Sequence, residues 1–220
     1  MVQPDEIIRS HRKTLAIAID RNNRLIVRAP MRCGEERIFA FIQEKEDWIV
    51  RKKAEQAKEA IALPPDNLHG YEFLLLGEKC QIFLADRKTV GYDQDAHVLC
   101  LPEKKSKERL IKWLKENALR IFTSVTARTA QTMGVGYKSV AVSSARGKWG
   151  SCSFDNALRF SYRLLYAPKD VIEYVVVHEL SHVKHKNHSA AFWSEVAKYV
   201  PDWKTKRRWL QTHRALVEIF

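Results

Sequence analysis

The chain has 220 residues, of which 45% are hydrophobic and 29% charged, and its formal net charge is +12. These values are typical of a globular protein of one large or two small domains, and they exclude a disordered chain. No apolar run approaches the roughly 18 residues that a membrane span needs. The first residues, MVQPDEIIRSHRK, lack the apolar core of a signal peptide. We therefore expect no membrane partner and a cytoplasmic location.

Cysteine usage and charge narrow the classes of function further. No CxxC pair occurs among the four cysteines, so a zinc ribbon built from paired thiolates is excluded. The positive charge favours contact with polyanions such as nucleic acids, nucleotide phosphates or acidic substrates. Basic residues crowd at 104–120 and 204–214. Nonspecific binding of nucleic acid through this basic surface is one function that the sequence leaves open.

The first half of the chain, residues 1–102, is predicted to be rich in β-strands and to carry one long helix. Residues 12–30 read as a hairpin, because two alternating apolar runs flank the turn DRNN. Residues 35–62 show apolar side chains at near-helical spacing, from Ile38 to Ala60, and LPPDN ends that helix. Strands are expected on both sides of Gly77 and in HVLCLP, which follows a GYDQD turn.

The second half, residues 103–220, opens with a predicted amphipathic helix over 103–133 that MGVGY ends. YKSVAVSS, KWGSCS and LRFSYRLLYAP are predicted strands. Pro168 then opens a helix that runs through a cluster of histidines, since proline favours the first helical position. Further helices are expected over 189–199 and 202–218, with Ser189 and Asp202 as N-caps. The whole chain is thus predicted to be an α+β protein.

The histidine cluster begins with the sequence HELSH. On a helix, His178 and His182 lie on one face, because residues four apart are neighbours there. Two imidazoles so placed can bind one metal ion, and zinc lowers the pKa of a bound water to about 7. Glu179 stands beside the first ligand, where a carboxylate can take a proton from that water. This is the physical logic of HExxH on a helix, and it predicts a catalytic metal site.

A catalytic zinc site needs a third protein ligand, for which His185 and His188 are the candidates. His188 has the spacing of the third histidine in HExxHxxGxxH enzymes, although this chain has His185 where those have glycine. Asn187 is expected to replace the glycine by adopting the left-handed conformation that lets the helix turn back. We favour His188 as the ligand. Phe192 and Trp193 are expected to pack in the core and hold the turn.

Three blocks of sequence, RGKWGSCS, LRFSYRLLYAP and HELSHVKHKNHSAAFW, resemble the YgjP-like metallopeptidase family, whose relatives include the SprT-like and WLM zinc proteases. The N-terminal hairpin and the helix with Trp48 fit the same family, so the resemblance covers roughly residues 8–215. It implies a zincin-like fold for the C-terminal half, with a small sheet beside the HExxH helix. It also implies that His178, His182 and His188 are metal ligands and that Glu179 is the catalytic glutamate.

The KWGSC stretch of the family, here Lys148 to Cys152, precedes the strand that leads into the metal-binding helix. Arg146 lies just before this stretch, and we expect Arg146 and Lys148 to bind an anionic group or to stabilise developing negative charge. A basic turn around a buried Trp149 is an equally good interpretation of the same residues.

These observations favour a zinc-dependent hydrolase, with a metallopeptidase acting on peptide or protein substrates as the preferred function. Nickel or another divalent transition metal could replace zinc. One alternative is a nucleoside triphosphate pyrophosphohydrolase at the same site, which the charge favours; nucleotide hydrolases, however, usually hold magnesium with carboxylates. Another is a DNA-associated protease or a basic nucleic-acid-binding protein. A metal-binding scaffold without catalysis is disfavoured by Glu179.

Overall fold

The computed structural model describes residues 2–20, 23–58 and 64–220. Its elements alternate between short strands and helices. The strands are β1 (Glu6–Ser10), β2 (Ala16–Ile19), β3 (Leu25–Pro30), β4 (Glu72–Leu75), β5 (Glu78–Ala85), β6 (Gly91–Asp93), β7 (Val98–Pro102), β8 (Ser139–Ser143), β9 (Gly150–Cys152) and β10 (Ala157–Ser161). The α-helices are α1 (Glu35–Glu44), α2 (Glu46–Lys58), α3 (Ser106–Met133), α4 (Lys169–Lys184), α5 (Ala190–Tyr199) and α6 (Trp203–Thr212). The predicted α+β class is confirmed.

The chain divides into two compact units, Met1–Ala60 and Ile61–Phe220. The strands β4 to β7, which the sequence placed with the N-terminal half, therefore fall in the second unit. The predicted division of function at residue 102 stays a prediction. None of the described helices combines the length and the apolar character that a bilayer crossing requires.

The first unit is built on a three-stranded sheet in the order β1-β3-β2. The predicted hairpin is confirmed, since β2 and β3 pair antiparallel. β1, which the sequence did not predict, pairs parallel with β3. Its EIIRS sequence has mostly exposed side chains, so it carries no alternating apolar pattern. Alternate residues of β3 are fully buried, and they form one core with Ile38, Ile42 and Ile49.

The single helix predicted over 35–62 is wrong in one respect: α1 and α2 are separate helices that break at Lys45. The junction, Glu44 to Asp47, consists of four charged residues, so no buried side chain stabilises the helical turn there. Residues 59–62 of the prediction lie outside the described residues.

The second unit contains a four-stranded sheet in the order β4-β5-β7-β6, in which β5 and β7 are parallel and the other pairs antiparallel. The strands predicted around Gly77 and in HVLCLP are confirmed. Part of GYDQD, predicted as a turn, is the short strand β6, because Gly91 to Asp93 pair with β7. The core of this unit lies between this sheet, α3 and the C-terminal helices.

The long helix α3 matches its prediction within a few residues. A buried residue recurs every four positions along it, which is the spacing of one helix face: Leu110, Leu114, Ala118, Phe122, Thr126 and Ala130. Gly134 ends the helix in the left-handed conformation, with a φ of 62°. At a rise of about 1.5 Å per residue, the helix is about 42 Å long and supports both sheets of the unit.

The second sheet of this unit has the order β8-β10-β9, with β10 parallel to β8 and antiparallel to β9. The strand predicted over LRFSYRLLYAP is too long, since the strand ends at Ser161 and residues Tyr162–Tyr166 form a buried 3₁₀ turn. The side chains of Tyr162 and Arg163 stabilise this turn by donating hydrogen bonds to the carbonyl of Phe220. The helix predicted over 202–218 is α6 followed by a 3₁₀ turn at Arg214–Glu218.

Candidate metal centre

The helix α4 positions the first two histidines. Pro168 stands immediately before its first residue, and Asp170 in the first turn interacts favourably with the positive end of the helix dipole. Gly77, at a φ of +85° in the β4–β5 turn, approaches so closely that an added Cβ would lie 2.8 Å from Pro168 Cα. The neighbouring Leu76 N–H donates to the Leu165 carbonyl at 2.6 Å. The beginning of α4 is therefore held against the four-stranded sheet.

A tight turn after α4 brings the third histidine back to the first two. The helix ends at Lys184, and His185 has an extended backbone with a φ of −131°. The left-handed conformation expected for Asn187 is wrong, because its φ is not positive. Instead the Asn187 side-chain oxygen accepts a hydrogen bond from the N–H of Ser189 at 3.3 Å. Ser189, as predicted, caps α5 by accepting from the Phe192 N–H.

The three rings of His178, His182 and His188 converge, and each offers a nitrogen within 4.8 Å of the others. The Nε2 atoms of His178 and His188 are 3.1 Å apart. Two imidazole nitrogens bound to one tetrahedral zinc ion at about 2.0–2.1 Å would lie roughly 3.3–3.4 Å apart, so the observed spacing suits a shared ion.

The two helix histidines differ in the hydrogen bonding of their outer nitrogens. His182 Nδ1 lies 3.0 Å from the His185 carbonyl oxygen, which fixes the ring and leaves its Nε2 for a ligand. His178 Nδ1 is buried and finds no hydrogen-bond partner among the described residues. The Nε2 atom of His178 faces His188 Nε2, so the ring presents this nitrogen to the cluster. The donor set therefore fits a divalent metal, and His185 contributes through its backbone carbonyl.

The surroundings of His178 and His182 favour the neutral imidazole that a metal ligand must be. Burial lowers the pKa of His178 to about 3, with further contributions from His182, His188 and Arg207. Burial also lowers the pKa of His182, although its bond to the His185 carbonyl opposes the shift. Both rings are therefore unprotonated at neutral pH.

Two aromatic residues of α5 enclose the histidines, as the sequence predicts. Phe192 is fully buried, and its ring centroid lies 4.5–4.9 Å from those of all three histidines. Trp193 stacks on His188 with centroids 5.6 Å apart. These rings exclude water from one side of the cluster and set the position of His188.

An ion-pair clamp that the sequence did not predict joins the end of α4 to α5. Glu195, only 4% exposed, accepts from the ammonium groups of Lys184 and Lys198 at 2.7 Å each. Lys184 also donates to the Met133 carbonyl at 3.3 Å. Only the three-residue spacing of Glu195 and Lys198 is a local sign of this clamp in the sequence. The bond from Lys184 to Glu195 joins residues on either side of the turn that carries His188. The clamp therefore stabilises that turn.

Glu179 lies against the edge of the second sheet. Its side chain is almost fully buried, and an added Cβ on Gly150 of β9 would lie only 2.6 Å from its Oε1. Burial raises the pKa of this carboxyl to about 8, and the nearby Lys148 ammonium opposes the rise. Gly150 thus limits the space around Glu179. The local sequence does not predict this role, because the contact joins residues of two separate elements.

Arg146 and Lys148 lie in the loop between β8 and β9, and both side chains are exposed. Both line a cavity that Trp149 and residues from α6 complete. The loop runs directly into Gly150, so the structure brings these two basic residues to the side of the site where Glu179 lies.

Comparisons with known proteins give the family. The model of the YgjP-like, metallopeptidase domain matches residues 13–213. No curated protein matches the sequence significantly. Two solved structures are similar over 41% of this chain. They are the metallopeptidase zymogens abylysin of Pyrococcus abyssi (22% identity, 92% of that chain, TM-score 0.38) and jannalysin of Methanocaldococcus jannaschii (19%, 96%, 0.37). The family match alone spans most of the sequence. The chain belongs to the YgjP-like metallopeptidase family and is a metal-dependent peptidase.

Proposed function

We propose that the protein is a zinc peptidase with a zincin-like catalytic region within residues 103–220. In this proposal His178, His182 and His188 hold the ion and Glu179 transfers protons. The observation that carries it is the convergence of three ring nitrogens within 4.8 Å, with a buried carboxyl on the adjacent residue.

The donor set favours zinc over magnesium or calcium. Three imidazoles suit zinc, nickel and similar ions, whereas magnesium and calcium prefer oxygen ligands. Among the described residues, this triad is the only set of three or more potential ligands that converges on one point. A zinc ion bound there would polarise the peptide carbonyl and lower the pKa of a water ligand to about 7.

Glu179 and β9 supply the other parts of the proposed mechanism. The Glu179 carboxylate, which the positive charge of a bound ion would keep ionised against the effect of burial, accepts a proton from the attacking water and then delivers it to the leaving amine. β9 pairs only with β10 among the described strands, and we propose that its other edge, which has no strand partner, pairs with an extended substrate peptide. Contact between Gly150 and Glu179 places that edge next to the carboxyl group.

Arg146 and Lys148 are proposed to bind an anionic part of the substrate. Their support is their place in the loop that enters β9 and the electrostatic effect of Lys148 on Glu179. We expect Arg146→Ala and Lys148→Ala to raise KM several-fold. Unchanged KM and kcat in both variants would remove this role.

The test is zinc-dependent cleavage of an unfolded protein by metal-analysed protein, with Glu179→Gln compared to Glu173→Gln. Glu173 is the matched control, since it lies on the same helix but is exposed and paired with Arg128. We expect Glu179→Gln to retain zinc and lose cleavage, and Glu173→Gln to keep both. Release of phosphate or pyrophosphate from nucleoside triphosphates that depends on Glu179, without protein cleavage, would replace the peptidase proposal with the nucleotide alternative.

A further inference from the structure

A cavity of about 270 Å³ lies where the β8–β9 loop meets α6 and the turn that follows it. Trp149, Leu210 and Val217 give it an apolar lining, and the last two are buried. Its volume is below the roughly 300–1,000 Å³ of pockets that enclose drug-sized ligands. The cavity is therefore of a size to take one side chain or a chain terminus.

The polar lining of the cavity is strongly positive. Four basic residues contribute to it, and no Asp or Glu does so among the described residues: Arg146, Lys148, Arg207 and Arg214. No described carboxylate pairs with Lys148, Arg207 or Arg214. By contrast Lys206, on the same helix as Arg207, is paired with both Asp170 and Asp202. The cationic groups of Lys148, Arg207 and Arg214 are thus available to an anionic ligand.

The cavity adjoins the candidate metal centre on both of its walls. On one wall, Lys148 stands two residues before Gly150, which touches Glu179. On the other wall, the Arg207 guanidinium lies 5.3 Å from the ring centroid of Trp193, the residue that stacks on His188. A substrate peptide that lies along β9 would therefore extend from the Glu179 side of the site toward the cavity.

We propose that this cavity binds a carboxylate of the peptide substrate beside the scissile bond, so that the enzyme prefers acidic substrates; this rests on the proposed peptidase function. The planar guanidinium of arginine binds carboxylates in a bidentate manner, and two arginines with a lysine converge here. The apolar lining accommodates the methylene groups of a glutamate side chain or the last residue of a chain. A glutamate side chain and a C-terminus both supply a carboxylate group, and the experiment below distinguishes the two.

The test measures binding to zinc-loaded Glu179→Gln protein, which avoids turnover. Three peptides share one sequence: one carries a central Glu with both ends capped, one a central Gln with both ends capped, and one a central Gln with a free C-terminal carboxylate. Binding is measured in this background and after adding Arg207→Gln or Lys148→Gln. Arg208→Gln is the matched control, because Arg208 is the next residue of α6 and does not line the cavity. Metal content is checked in every variant.

We expect one carboxylate peptide to bind about tenfold more tightly than the capped Gln peptide, since charge-assisted hydrogen bonds are the stronger ones. Arg207→Gln and Lys148→Gln should each remove most of that preference, and Arg208→Gln should keep it. Preference for the central Glu identifies an acidic side chain as the ligand, and preference for the free terminus identifies a carboxypeptidase-like mode.

Equal binding of all three peptides would overturn the proposal, as would an equal loss in Arg208→Gln, which would indicate only general surface charge. Tighter binding of a nucleoside triphosphate, lost in Arg207→Gln and Lys148→Gln, would replace the carboxylate with a phosphate. Because binding needs no turnover, a wild-type protein that cleaves nothing would refute the peptidase proposal alone.

Discussion

Replacing Gly150 by alanine tests whether β9 positions Glu179. The new Cβ would lie 2.6 Å from Glu179 Oε1, 2.8 Å from its Cγ and 2.9 Å from its Cδ. To reach the 3.0–3.4 Å of a tight but tolerable contact, the oxygen must move away by about 0.4–0.8 Å. Glu179 is only 5% exposed, so little free space surrounds the displaced carboxyl group.

A catalytic group misplaced by about 1 Å can lose roughly 100-fold in rate, so we expect kcat/KM for an unfolded protein substrate to fall by about 10- to 100-fold. Zinc content should not change, because the three atoms nearest to the added Cβ all belong to Glu179 and none belongs to a histidine. Gly136→Ala is the control, since a Cβ there meets nothing within 4 Å. Wild-type kcat/KM in a folded, zinc-loaded Gly150→Ala protein would refute the argument that this contact positions Glu179.

Three further predictions concern the metal, the clamp and the core. Chelation should abolish cleavage and lower the melting temperature of the wild type, because an ion that binds only the folded state stabilises it. Without chelator, His188→Ala should already melt at the temperature of the chelated wild type, and adding chelator should change it little. Glu195→Gln should cost about 1–3 kcal/mol in urea unfolding at pH 7. The lysines that bond to Glu195 lower its pKa in the folded state. The carboxylate therefore stabilises the fold above about pH 4.5, and this stabilisation is lost as the pH falls below that value. The wild type should therefore lose more free energy of unfolding than Glu195→Gln between pH 6 and pH 3. Phe122→Ala, at a fully buried position of α3, should cost about 3–5 kcal/mol, whereas Leu119→Ala, which is 44% exposed, should cost under about 1 kcal/mol by the same measurement.

The elements that the sequence predicted well are those whose pattern is local and repeated. The α3 stripe recurs every four residues from Leu110 to Ala130, and the alternation in the first hairpin is equally clear. Two errors arose where that pattern is absent: β1 is short and mostly exposed, and the helix break at Lys45 lies in a run of charges. Tertiary hydrogen bonds explain another error, since they hold the residues after Ser161 in a 3₁₀ turn instead of a strand.

Some residues of the candidate site could likewise be predicted from the local sequence, and others could not. His178, Glu179 and His182 follow from helix geometry, and the His188 spacing predicted the third nitrogen that the structure brings to them. Gly150 and Glu195 were not predicted, because Gly150 acts on Glu179 in another element and Glu195 bonds to Lys184 across the histidine turn. The basic crowding at 204–214 was visible, but its place beside the site depends on how the β8–β9 loop meets α6.

The close approach of Gly77 to Pro168 limits how this protein can be shortened. All residues proposed for the chemistry lie after residue 103, yet the first turn of α4 rests on the β4–β5 turn some ninety residues earlier. A fragment starting at 103 would lose this support, along with the sheet that covers much of the core of the second unit. We expect such a fragment to be insoluble, and a fragment starting near residue 61 to be the smallest that folds.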